Sequence, residues 1–169
     1  MANEHIVTYL NDHLAGSVVA VELMENLEGV YAGEPIADFI ANLRADVEAD
    51  RKELEEIMSR LEVSESRTRK ASAWFTEKFT QLKLRLDDPA HGVLRLFESL
   101  EALSLGIEGK RSLWLALSAA AEVSPQLRIA DYQRLRQRAE EQRDRVEKKR
   151  LELAPMALNL DQSVGAPPR

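Results

Sequence analysis

Apolar residues recur at spacings of three and four through most of the chain, and no stretch alternates apolar and polar long enough to make a strand. The period predicts long helices over 4–28, 35–62, 89–122 and 129–153, with a shorter one over 65–86. Breakers fall between them. Gly29 and then Tyr31-Ala32-Gly33-Glu34-Pro35 close the first helix and open the second, with Pro35 in a first-turn position. Ser64-Glu65-Ser66, Asp87-Asp88-Pro89, Ser124-Pro125 and Pro155 punctuate the rest. The expected fold class is all-α: an antiparallel bundle of four long helices plus a shorter crossover helix. One domain should span 1–155, followed by a mobile C-terminal tail over 156–169, whose last residues have little to bury.

Projecting each helix at 100° per residue locates its buried stripe and the polar residues that intrude on it. In 35–62, Ile36, Phe39, Ile40, Leu43, Val47, Leu54, Ile57, Met58 and Leu61 share a face. Asp50 sits in the middle of that face and Asp46 at its edge. His13 lies at the edge of the first helix's stripe. In 89–122, Arg111 falls inside the arc of Leu100, Ile107 and Trp114, with Ser104 and Glu108 beside it. In 129–153, Gln142 is on the stripe, flanked by Arg136 and Arg143. A short turn makes the first two helices antiparallel, so His13 and Asp50, equally far from it, should be level. If 65–86 carries the chain back along the bundle, Arg111 comes within about a turn or two of that level.

A buried carboxylate needs a cation or a metal beside it. The leading expectation is an internal network of His13, Asp50, Arg111, Gln142 and Arg143, with no cofactor. The alternative is a metal site for iron or manganese, with His13, Asp46, Asp50 and Glu101 or Glu108 as ligands. A third possibility leaves the acids at the surface.

Composition narrows the chemistry. The 169 residues include no Cys, which removes disulfides, zinc knuckles, iron–sulfur clusters and thiol nucleophiles. Lys+Arg 23 against Asp+Glu 29 gives a net charge of −6, unfavourable for a binder of nucleic-acid phosphates. No apolar run approaches the ~20 residues of a membrane span, and the N-terminus does not read as a signal peptide, so a cytoplasmic location is expected. Residues 34–62 are acidic and 67–85 basic, which reads as solvated faces that attract one another. There is no glycine-rich phosphate loop and no nucleophile elbow.

Two stretches carry a family likeness: Tyr9-Leu10-Asn11-Asp12-His13-Leu14-Ala15-Gly16-Ser17-Val18-Val19-Ala20-Val21-Glu22-Leu23, and Ala139-Glu140-Glu141-Gln142-Arg143-Asp144-Arg145-Val146-Glu147. With the helix order, they resemble ferritin-like proteins of the rubrerythrin and bacterioferritin type. The resemblance implies a di-iron centre with a Glu on each of two helices and a Glu-x-x-His on each of the other two. Glu22 would be the first-helix ligand. This chain has no Glu-x-x-His. The expectation is therefore a ferritin-like scaffold without an intact di-iron centre, acting as a non-catalytic module that self-associates or binds a protein partner. A homodimer is expected because Leu96, Leu103, Trp114 and Leu117 spread apolar surface widely around one helix. The alternatives are a metal-dependent oxidoreductase or metal binder with an atypical site, and a binder of a small acid in the core, clamped by Arg111.

Overall fold

The computed structural model describes residues 3–63 and 92–159. Everything there is helix or short connection: α1 (Glu4–Val30), α2 (Pro35–Arg60), α3 (Gly92–Val123), a single 3₁₀ turn (Pro125–Leu127) and α4 (Tyr132–Ala157). The expected helix over 65–86, with Trp74, and the final ten residues of the expected tail lie outside the described residues. No described helix is long and apolar enough to cross a membrane.

Local chemistry sets the helix ends. Asn3 caps α1 by accepting from the His5 N–H at 3.0 Å, and Asp131 caps α4 by accepting from the Arg134 N–H at 3.0 Å. Pro35 opens α2, where its missing N–H has no helical partner to lose. Gly29 does not stop α1, which continues to Val30; the turn comes at Gly33, whose φ of +86° suits glycine alone among common residues. α2 ends in a Schellman motif. Glu62 takes the left-handed conformation (φ 55°) usual for glycine, and its N–H donates to the Ser59 carbonyl. The Val63 N–H reaches the Met58 carbonyl at 2.9 Å, and both side chains are buried. α4 runs through Pro155 to Ala157 instead of stopping before it. The proline sits in the last turn, where it removes one N–H and the Leu158 N–H still closes onto Ala154.

The helices form two antiparallel hairpins, α1 with α2 and α3 with α4, packed side by side through α1–α3 and α2–α4 contacts. Cross-helix pairs fix the directions. Arg44 meets Glu28, so α1 and α2 are antiparallel. Arg143 meets Glu108 and Arg150 meets Glu101, so α3 and α4 are antiparallel. The Tyr31 hydroxyl donates to the Gly92 carbonyl at 3.1 Å, which sets the end of α1 against the start of α3. It follows that α2 and α3 run parallel, with Val63 and Gly92 at opposite ends. The core comprises Leu10, Met24, Leu27, Ile40, Leu43, Met58, Leu100, Leu113, Trp114 and Leu135, with smaller side chains between them. α3 is buried on two sides, because it packs on α1 and on α4. Leu96, Leu103, Trp114 and Leu117, read above as a dimer face, are consumed inside the chain at 5% exposure or less.

Candidate functional site

Asp50 lies mid-way along α2, 2% exposed, in the apolar seam between Val47 and Leu54. An isolated carboxylate there would cost several kcal/mol. Three donors surround it instead. Lys110 of α3 bridges Asp50 Oδ2 and Gln142 Oε1. The Gln142 side-chain amide donates to Asp50 Oδ2 at 2.9 Å, and Arg138 Nε donates to Oδ1 at 2.7 Å. Gln142 and Arg138 are one turn apart on α4, so one face of that helix supplies both. Arg138 also lies 3.7 Å from Glu53, which pairs with Arg134 at 2.8 Å. Burial pushes the Lys110 amine below its usual range, and the adjacent Asp50 charge works against that. This polar layer therefore draws on α2, α3 and α4, with its carboxylate committed to protein donors.

Arg111 is not part of it. Its guanidinium grips Glu108 one turn earlier, at 2.8 to 3.1 Å, and lies 3.5 Å from Glu140. Arg143 also points away from Asp50, to Glu108 at 2.8 Å and Asp144 at 3.2 Å. Arg111 chiefly, against opposing desolvation, holds the Glu108 carboxyl below its usual range, with Arg143 assisting. The projection missed Lys110 because it assumed one buried arc on a helix that has two. The position sits in the seam Leu103, Ile107, Lys110, Trp114, Leu117, a lysine at i+3 and i+7 among apolar residues. That spacing was the available signal, and Arg138, four residues before Gln142, was the other.

The proposed metal ligands are dispersed. Asp46 pairs with Arg145, Glu101 with Arg150 at 3.2 Å, and Glu108 with Arg111 and Arg143. Among the described residues no group of three His, Asp or Glu is placed to hold a metal ion. Glu22 is exposed. Among the described residues, Arg134, Arg138 and Arg145 of α4 pair with acids of α2. The basic stretch 67–85 lies outside the described residues.

Beside the polar layer is a cavity of about 80 Å³, walled by α1, α2 and α3. His13, Asp50 and Lys110 meet it, as do Gly16, Gly106, Gly109 and Trp114. His13 packs edge-on against Tyr9, with ring centroids 4.7 Å apart. Burial lowers its pKa below 6.5, against the pull of Asp12, so the imidazole is neutral at pH 7. His13 and Asp50 thus share a level and a cavity wall.

Compared with protein-family models, curated proteins and solved structures, the chain finds no match.

Proposed function

We propose that this chain is a ferritin-like bundle that works by binding and not by catalysis, with a charge network where a di-iron centre would stand. One observation carries the reading: both oxygens of Asp50 are taken by Lys110, Arg138 and Gln142. A carboxylate so engaged is a poor metal ligand and a poor base, and two cations beside it oppose a third. The scaffold assignment is supported by the two antiparallel hairpins with α2 parallel to α3, which places Val63 and Gly92 at opposite ends of the bundle. A second copy of the chain is the proposed partner. Leu105, Val123, Leu151, Met156 and Leu158 on the α3–α4 pair remain more than half exposed, although the residues that first suggested a dimer do not.

Metal analysis after reconstitution with Fe(II) or Mn(II) and desalting tests the reading. Far less than one ion per chain is expected, with no oxygen consumption above buffer. One or two retained ions per chain would overturn it. Light scattering tests the partner: a monomer at tens of micromolar removes the dimer.

A further inference from the structure

The outward side of the α3–α4 pair is organised around one level. On α4, Ala139, Gln142 and Val146 face the core, which turns Glu141, Asp144, Lys148 and Leu151 outward, and all four are exposed. On α3 the outward line runs through Glu101, Leu105 and Ser112, also exposed. Glu101 pairs with Arg150 at 3.2 Å and Glu108 with Arg143 at 2.8 Å. These two ties set Leu105 level with Val146, midway between Asp144 and Lys148. Leu105 is 56% exposed and the Asp144 side chain 72%.

A contact between two copies about a two-fold axis requires a surface to be its own complement. This surface meets the requirement. Rotation by 180° about an axis crossing both helices at the level of Leu105 and Val146 lays each helix antiparallel on its own copy. Leu105 then meets Leu105, and Asp144 meets Lys148 twice, once on each side of the axis. Glu101 and Glu108 flank Leu105, and both arrive already paired with Arg150 and Arg143, so little unbalanced acid enters the contact. The axis falls near the middle of both helices, so most of each helix overlaps its copy. The 26 residues of α4 run about 39 Å, and two helices side by side are about 20 Å wide. Such a face approaches about 800 Å² per copy, the usual size of a specific interface.

We propose that a second copy of the chain docks on this face, with Leu105 against its own counterpart on the two-fold axis and Asp144 paired with Lys148 of the second copy. The inference rests on the reading of the chain as self-associating and deepens it by naming the surface and its register. An aliphatic centre with charged pairs around it is the usual anatomy of a specific interface.

Sedimentation velocity of the full chain, from 1 to 100 μM at low salt, tests the proposal on wild type, Leu105→Asp, Asp144→Lys, Lys148→Asp and the double charge swap. All the substituted side chains are exposed, and an unchanged urea midpoint confirms that each variant folds. The wild type should be a dimer. Leu105→Asp places two like charges on the axis and should give a monomer. Either single reversal turns two attractive pairs into two repulsive ones and should raise the dimer dissociation constant by about tenfold or more. The double swap restores opposite charges and should return it to within about threefold of wild type. A wild-type monomer would leave the face to a different partner and overturn both this proposal and the self-association reading. A wild-type dimer that tolerates Leu105→Asp and the single reversals would overturn this face and leave that reading standing. Single reversals that weaken the dimer without rescue by the double swap would overturn the two-fold pairing.

Discussion

Replacing Asp50 isolates the energetics of the polar layer. In Asp50→Asn, whichever way the amide turns, its NH₂ faces a donor: Arg138 on one side, Lys110 and Gln142 on the other. Lys110 loses its paired carboxylate, and Arg138 is left with Glu53 at 3.7 Å. Removing one partner of a buried pair costs about 3–5 kcal/mol. Lys110 keeps 15% of its side chain exposed and Arg138 keeps 29%, so both regain some hydration and the expected loss falls to about 2–4 kcal/mol. Lys110→Met alone strands Asp50, which retains Arg138, and should cost about 1–3 kcal/mol. The double variant Asp50→Leu, Lys110→Met removes that ion pair, while Gln142 and Arg138 lose their contacts with Asp50 as they do in Asp50→Leu alone. Its cost should fall short of the summed singles, Asp50→Leu and Lys110→Met, by at least about 1 kcal/mol. Urea unfolding at constant slope reads all four proteins. Asp50→Leu paired with Arg111→Leu is the control, since Arg111 belongs to Glu108, and should be additive within about 0.5 kcal/mol. Additivity at Asp50–Lys110, or coupling at Asp50–Arg111, would refute the assignment of partners.

Two further outcomes follow from the cavity wall. Gly106→Ala should stabilise the fold by about 0.5–1 kcal/mol, because the added methyl meets nothing within 4 Å and the helix gains propensity; a lower urea midpoint would show hidden crowding. His13 has a folded pKa below its unfolded 6.5, so its contribution is fully present above pH 6.5 and is lost as pH falls through the folded value. His13→Gln should therefore flatten the stability profile just below pH 6.5, and an unchanged slope there would mean that the imidazole is not desolvated.

Element type was legible because helical periodicity over long windows is a strong signal. The Asp50 and Gln142 intrusions were visible for the same reason, as polar residues where the stripe demanded aliphatic ones. Element ends were less so. Gly29 reads as a stop, yet it stays helical: α1 ends at Val30 with Tyr31 as its cap, and the turn that follows is made at Gly33. Pro155 reads as a breaker, yet a proline in a final turn forfeits a single hydrogen bond. The partner of Asp50 was misassigned for a geometric reason. A helix packed on two neighbours buries most of its circumference, and one averaged arc then puts Arg111 where Lys110 stands. The cavity was not legible at all, since empty space depends on how three helices pack and leaves only scattered glycines as its trace.

Thermal unfolding with and without divalent metal tests the central claim most directly. A site occupied at a hundred times its dissociation constant would stabilise the fold by about 2.7 kcal/mol, which for a chain of this size raises Tm by about 5–11 °C. With Fe(II) under anaerobic conditions, or with Mn(II), the account predicts a change below about 1 °C. The same should hold after chelator treatment and in Asp50→Asn. A rise of several degrees in the wild type that disappears in Asp50→Asn would make Asp50 a metal ligand and contradict the account.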